Sequence, residues 1–252
     1  MRKKRKRSRL PRQLSPKGIE RDYARALVKH VRGLKEELRP LMLELPALLK
    51  EEKAERERFD IGGARRIQRL VAAIALRMSV SNAALESLAA RFAKRTKAHQ
   101  EIQFAKQVGE SFFLPSRGVA QAVEGFVAEN AALIKDLPRK ALADVEGILQ
   151  RAVTGGGNAR DAAREIKVRL AISENRAKLI ARDQIHKLNG AVNRARQTST
   201  GVTHFRWRTM GDDRVRDSHE ALEGQVFSWK TGSPEGFPGQ PINCRCHAEP
   251  VL

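Results

Sequence analysis

The feature of this chain that most constrains its fold is a long stretch of helical hydrophobic periodicity. Between Ile19 and about Lys106, apolar residues return every three or four positions, which is the spacing of one helix face. They do so first at Tyr23, Leu27, Val31, Leu34, Leu38 and Leu41, and again at Ile67, Val71, Ile74, Met78, Leu85, Leu88 and Phe92. Such a stripe buries one face of a helix and leaves the other face to water. The pattern predicts a long-helical region over residues 17–108.

Proline and glycine indicate where these helices should end. Pro40 and Pro46 are expected to interrupt or kink the first helix, because proline lacks a backbone N–H and clashes with the preceding turn. The Gly62–Gly63 pair marks a second break. Residues 109–118 combine glycines and a proline with a short apolar run, and this composition predicts a linker.

Helical periodicity resumes after this linker and is predicted to continue to about Gln197. The expected helices cover Val119–Asn130, Pro138–Val153 and Ala159–Leu170, followed by one more helix. Pro138 suits a first-turn position, and Asn158 and Ser173 are the expected N-caps of the last two helices.

The pattern changes to that of a small β-containing segment after Gly201. Residues that favour strands cluster at Thr203–Thr209 and Gln225–Trp229, and Gly232–Pro241 is rich in turn residues. The predicted fold class is therefore mainly α: a long-helical N-terminal region followed by a helical domain, residues 119–200, that carries a small C-terminal α+β cap over residues 201–252.

Positive charge is concentrated at the start of the sequence. The chain has 49 Lys and Arg against 29 Asp and Glu, a formal net charge of +20. Eight of the basic residues fall within MRKKRKRSRLPR, so residues 1–16 are predicted to form a disordered basic arm. Such an arm would bind DNA without reading its sequence, by counterion release, through Arg2, Lys3, Lys4, Arg5, Lys6, Arg7 and Arg9. A solubilising arm without a partner and a nuclear-localisation signal are the alternatives.

Several classes of protein are excluded by composition. Two cysteines cannot support a disulfide-rich secreted scaffold. No run approaches the roughly 18 apolar residues that a membrane span needs, and Met1–Pro11 lacks the apolar core of a signal peptide. Only 12 residues are aromatic, which argues against a surface that stacks single-stranded bases.

Residues able to bind a metal cluster near the C-terminus. Zinc prefers four tetrahedral nitrogen, sulfur or oxygen ligands. Cys244, Cys246 and His219, with Asp213 or His247 as the fourth ligand, would meet that requirement if the backbone turns at the Cys-x-Cys pair. The sequence leaves a structural zinc ion and two reduced, buried thiols as alternatives.

Two further interpretations of the same residues do not require a metal. Cys244 and His219 would form a nucleophilic pair if Asp213 oriented the imidazole. A hydrogen-bonded polar cluster of Asp213, Arg216 and His219 that holds a thin core together is the interpretation we favour.

Taken as an ordered set, these residues resemble the signature of the phage Mu F-like minor head proteins. That family is also called head morphogenesis proteins and is related to the minor head protein of phage SPP1. The resemblance covers roughly residues 120–252 and is carried by Trp207, Asp213, Arg216, His219, Gly224, Asn243, Cys244 and Cys246. It implies that residues 119–252 form a Mu F-like domain with a structural role and no catalytic residues.

The resemblance also implies a place and partners. Members are minor head proteins of tailed phages or prophages, made in the bacterial cytoplasm and built into the head interior or the portal vertex. The expected partners are the portal, the major capsid or scaffold protein and packaged DNA, with a role in DNA ejection for some members. Self-association is compatible with this interpretation, and a membrane is not expected. The alternatives are a nucleic-acid-binding protein outside the virion and a toxin-like enzyme centred on His219.

Overall fold

The computed structural model describes residues 10–57, 62–79, 82–109, 116–154 and 158–252, and this part of the chain is mainly helical. The helices are α1 (Lys17–Glu57), α2 (Gly62–Arg77), α3 (Asn82–Val108), α4 (Arg117–Thr154), α5 (Ala159–Ser199) and the single-turn α6 (Asp217–Glu220). The strands are β1 (His204–Arg208), β2 (Val226–Ser228) and β3 (His247–Pro250). The predicted fold class, helical with a small C-terminal α+β cap, is confirmed. None of the described helices is both long enough and apolar enough to cross a membrane.

Helix α1 continues through both of its prolines, so the predicted interruption at Pro40 and Pro46 is wrong. Both prolines lie on the exposed side of the helix, where water can satisfy the carbonyl groups that lose a partner. On the opposite side, Leu38, Leu41 and Leu45 are buried. Burial of each leucine contributes about 1.5–3 kcal/mol, and together these offset a cost of about 3 kcal/mol for each proline.

The later helices are longer and fewer than the sequence predicted. Pro138 lies inside α4 rather than in a first turn, and Ser173 lies inside α5, where its hydroxyl donates to the carbonyl of Arg169 instead of capping a helix. Asn158 does cap α5, since its side-chain oxygen accepts the Asp161 N–H at 2.9 Å. The apolar stripe of residues 67–92 is shared between two helices, α2 and α3.

The chain divides into two compact units that are discontinuous in sequence. Unit 1 comprises residues 1–21, 89–128 and 182–252, and unit 2 comprises residues 22–88 and 129–181. In unit 2, apolar residues of α1, α2, α4 and α5 form one core, which includes Leu34, Leu45, Ile67, Val145, Leu149 and Ile166. The contiguous boundaries predicted from the sequence stay a prediction, and most of the predicted linker, residues 110–115, lies outside the described residues.

Unit 1 contains a buried set of amide side chains where the sequence predicted a continuing apolar seam. After Phe92, the buried face of α3 presents Gln100, Gln103 and Gln107. Gln107 donates to the carbonyl of Pro11 at 2.9 Å, and Gln103 accepts the Leu14 N–H at 2.8 Å. The prediction of a disordered arm over residues 1–16 is thus corrected for residues 10–16, which these amides hold against α3. Residues 1–9 of the predicted arm lie outside the described residues.

A three-stranded antiparallel sheet in the order β2-β1-β3 forms the C-terminal cap of unit 1. Both predicted strand regions are confirmed, whereas β3 was not predicted. Phe205 pairs with Phe227 of β2 and Trp207 with Ala248 of β3. One face of the sheet carries the apolar core, which consists of Phe205, Trp207, Leu222, Trp229, Cys244, Cys246 and Ala248.

Candidate functional site

His219 reaches the core of the cap from the short helix α6. This helix follows the turn at residues 211–216, and the His219 N–H donates to the carbonyl of Arg216 at 2.9 Å. The imidazole is only 2% exposed and meets the edge of the Trp207 ring at 5.3 Å between ring centroids. A polar ring this deeply buried needs partners for its two nitrogens.

The two cysteines enter the same core from the segment before β3. A tight turn precedes them, in which Asn243 has a φ of 57° and donates its N–H to the Asp183 carboxylate at 2.7 Å. Asparagine is one of the few residues that tolerate this left-handed conformation. Cys244 and Cys246 are both free and both buried, so the turn brings the Cys-x-Cys pair into one core as the metal interpretation requires.

The two thiols converge on one nitrogen of His219. The sulfur atoms of Cys244 and Cys246 each lie 3.6 Å from His219 Nδ1, and the three atoms lie within 4.8 Å of one another. The Gly239 N–H donates to the Cys244 sulfur at 3.4 Å. Hydrogen bonding between the thiols lowers the pKa of Cys244 to about 6 and raises the pKa of Cys246, so the pair favours one shared thiolate.

The other imidazole nitrogen faces an acid that the sequence analysis did not single out. His219 Nε2 lies 3.5 Å from a carboxylate oxygen of Glu235, in the turn-rich segment after β2. A cavity of about 20 Å³ adjoins the cluster and is lined by His219, Cys244 and Cys246 together with Met210, Arg214, Val215, Arg216, Asn243 and Arg245. That volume is close to the space one water molecule needs.

The structure does not bring Asp213 into this cluster. Asp213 is exposed, and the neighbouring Asp212 instead forms a bidentate ion pair with Arg245 at 2.5 and 2.7 Å. Hydrogen bonding and charge–charge attraction to Arg245 hold the pKa of Asp212 below its usual value. Arg216 is exposed and donates to the carbonyl of Ile242 at 2.6 Å. The predicted hydrogen-bonded cluster of Asp213, Arg216 and His219 is therefore not present as such among the described residues.

His247, the other residue considered as a fourth ligand, lies outside the group of converging atoms. It begins β3 and pairs with Arg208 in the sheet register. Burial, together with the nearby Arg12 and Arg208 guanidinium groups, lowers the pKa of His247 to about 4, so its imidazole is neutral at pH 7.

Two other signature residues shape the backbone around the site. Trp207 is fully buried, and its carbonyl accepts the Gly224 N–H at 2.8 Å. Gly224 has a φ of 78°, which favours glycine, and its carbonyl accepts a hydrogen bond from Arg206 at 2.6 Å. Both residues thus connect β1 to the segment that follows α6.

The cap is held to α5 by features that sequence reasoning missed. A Cβ atom added to Gly190 would lie 2.5 Å from the carbonyl oxygen of Pro238, and one added to Gly239 would lie 2.9 Å from that of His186. Asn193 and Gln197 both donate to the carbonyl of Ala248, at 2.8 and 2.9 Å. The only signal in the sequence was a glycine inside a predicted helix, which often marks close packing.

All seven predicted DNA-binding residues, from Arg2 to Arg9, lie outside the described residues. Arg206 and Arg208 in the cap form ion pairs with Glu249 across the sheet, at 3.5 Å each, and Arg208 also pairs with Glu223 at 2.9 Å. These two arginines therefore stabilise the sheet through ion pairs and do not form an uncompensated basic surface.

The fold and the site define a mainly helical protein whose small C-terminal sheet encloses a buried cluster of two cysteines and a histidine. Residues 143–249 match the family described as phage Mu protein F like protein. All eight signature residues fall within this range, so the resemblance inferred from the sequence is confirmed and residues 143–249 form a phage Mu F-like region.

Comparison with curated proteins adds one relative. A protein of Haemophilus influenzae (strain ATCC 51907 / DSM 11121 / KW20 / Rd), described as an uncharacterized protein, is 33% identical over 175 residues. The match covers 66% of this chain and 39% of the relative, so the chain spans less than half the length of that protein. No solved structure matches the chain.

Proposed function

We propose that this protein is a structural minor head protein of a tailed phage or prophage, acting in head assembly near the portal and packaged DNA. The observation that carries the proposal is the phage Mu F-like region at residues 143–249. Its proposed contacts are with the portal and with the major capsid or scaffold protein, and its proposed location is the head interior or the portal vertex. Assistance in DNA ejection is part of the same proposal.

The geometry of the cap supports a structural rather than a catalytic role. His219, Cys244 and Cys246 are buried among aromatic residues, and the adjoining cavity of about 20 Å³ is far smaller than a site for an organic substrate. Asp213, which would have to orient the imidazole of a nucleophilic pair, is exposed to solvent. The cluster therefore acts by holding chain segments together.

The charge of the chain supports a location close to DNA. The net charge of +20 includes +8 from the first twelve residues. Packaged DNA presents phosphate charge at high density, and lysine and arginine bind it without base contacts by releasing counterions. Such binding suits a protein that must contact any packaged sequence.

Particle composition tests the proposal. The prophage or phage that encodes this chain would be induced, and proheads and filled virions would be separated and analysed by mass spectrometry. We expect the protein in both, at far fewer copies than the major capsid protein, and cross-linked to portal in proheads. Absence from both kinds of particle would overturn the proposal, whatever the free protein does with DNA.

A further inference from the structure

We propose that His219, Cys244 and Cys246 hold one zinc ion that cross-links helix α6 to the segment before β3. The ion would be bound by His219 Nδ1 and the two sulfur atoms, with a water molecule as the fourth ligand in the adjoining cavity. This inference rests on the residues of the cap alone and is independent of the proposed role in phage heads.

The first argument is the convergence of two thiols on one nitrogen. A single imidazole lone pair accepts one good hydrogen bond, yet the sulfur atoms of Cys244 and Cys246 are equally close to His219 Nδ1, at 3.6 Å. In tetrahedral zinc sites, Zn–S bonds of about 2.3 Å and Zn–N bonds of about 2.0–2.1 Å place sulfur and nitrogen about 3.5 Å apart. The two observed sulfur–nitrogen distances match this value.

The second argument is the carboxylate that lies next to the other imidazole nitrogen. Histidine ligands of metals usually donate their second ring N–H to a carboxylate or carbonyl, which fixes the tautomer and turns the free lone pair to the metal. His219 Nε2 is buried without a hydrogen-bond partner among the described residues, and the Glu235 carboxylate, 3.5 Å away, is placed to accept its N–H once the site is filled. With Nε2 protonated, the Nδ1 lone pair faces the two sulfur atoms.

The third argument concerns the fourth position and the charge of the site. The cavity of about 20 Å³ borders all three ligands and accommodates one water molecule. Two thiolates neutralise a divalent cation, so the filled site carries no net charge into the core. Thiolate and imidazole ligands together select zinc over magnesium or calcium, which prefer oxygen. Asp213, one of the two fourth ligands considered from the sequence, is exposed and is not needed.

The function of the ion follows from where its ligands lie. Residues 201–252 have a small apolar core, and small cores are often supplemented by a metal. His219 lies on a helix of four residues, which cannot be stable without tertiary contacts. A zinc ion would fix this turn to the Cys244–Cys246 segment and thereby fix the end of the sheet.

The test is metal analysis of the full chain, purified without a histidine tag and under reducing conditions. We expect about one zinc ion per chain by mass spectrometry, and less than a tenth of that in Cys244→Ser and Cys246→Ser. Asp213→Asn is the matched control and should keep the full amount. Glu235→Gln should keep zinc but lose it to a chelator at roughly 10–100-fold lower chelator concentration.

A spectroscopic measurement covers the case in which a cysteine variant fails to fold. The wild-type protein would be stripped of metal and titrated with Co²⁺ alone, and we expect thiolate-to-cobalt charge-transfer bands that saturate at one ion per chain. Near-ultraviolet circular dichroism of the buried tryptophans reports folding of the cap in the same sample. A folded cap without zinc and without cobalt bands would overturn the proposal, as would loss of zinc in Asp213→Asn.

Discussion

Single residues decide how the cap is seated on α5 and how its site is assembled. Two glycines allow the backbone of α5 and that of the turn after Phe237 to approach each other closely: Gly190 within α5 and Gly239 in the turn. Asn243 supplies a left-handed turn that directs the following cysteines inward. Each of these residues is small or tolerates a left-handed conformation. Why its position requires such a residue becomes visible only in the tertiary structure, where the neighbouring segment packs against it.

Replacing Gly190 by alanine should destabilise the protein, although the intrinsic helix propensity of alanine is about 1 kcal/mol more favourable than that of glycine. The added methyl group would lie 2.5 Å from the Pro238 carbonyl oxygen, so backbone would have to move. We expect the free energy of unfolding in urea to fall by about 1–3 kcal/mol, the usual cost of overpacking.

The control for this substitution is Gly125→Ala in α4. A Cβ atom added to Gly125 meets nothing within 4 Å, so this change should be neutral or stabilising by up to about 1 kcal/mol. Equal effects of the two substitutions would contradict the close approach of the Pro238 turn to α5.

At the scale of whole elements, hydrophobic burial overrides local helix signals. Helix α1 contains two prolines and α4 contains one, yet neither helix is interrupted at a proline. The buried face of α3 shows the converse, because it contains three glutamines. The amide groups of Gln103 and Gln107 bind the segment at residues 10–16, and that of Gln100 donates to Asn193 of α5. Hydrogen bonding in the interior allows a buried helix face to be polar.

Replacing Pro46 by alanine should stabilise α1. Proline inside a helix costs about 3 kcal/mol relative to alanine, and part of this is regained because proline stiffens the unfolded chain. Pro46 is exposed, so its removal sacrifices no packing. We expect the free energy of unfolding to rise by about 2–3 kcal/mol in urea denaturation monitored by circular dichroism, which is the helix cost less the roughly 0.4–1 kcal/mol regained in the unfolded chain.

Leu45→Ala, at the adjacent position, is the comparison variant, and its effect on the free energy of unfolding should have the opposite sign. Leu45 is fully buried in the core of unit 2, and its truncation should lower the free energy of unfolding by about 2–5 kcal/mol. A destabilising effect of Pro46→Ala would argue that the helix ends near residue 46 after all.

At the scale of the whole molecule, the dominant property is positive charge. Acidic partners compensate several basic residues within the described part, among them Arg32 with Glu174 and Arg245 with Asp212. The seven lysines and arginines of residues 2–9 have no acidic residue near them in sequence. Removing these residues should therefore affect DNA binding more than removing any other segment of the same length.

This expectation can be measured as a salt dependence. Binding to a duplex of arbitrary sequence would be followed by fluorescence anisotropy at several salt concentrations. Deleting residues 2–9 should reduce the slope of log K against log salt by up to about 6, because each phosphate that a lysine or arginine neutralises adds about 0.9 to the slope. A variant with residues 2–9 in shuffled order is the control and should bind like the parent. An unchanged slope on deletion would show that the segment does not bind DNA.

Local patterns in the sequence were sufficient to predict the fold class, β1 and β2, the Asn158 cap and the Cys–Cys–His set, because periodicity and residue chemistry act over short distances. Only the tertiary structure decided that helices run through Pro46 and Ser173, that residues 10–16 pack on α3, and that Glu235 rather than Asp213 faces His219. Each of these outcomes depends on contacts between residues far apart in the chain. Burial and hydrogen bonding at such contacts outweigh local preference, and no local pattern contains them.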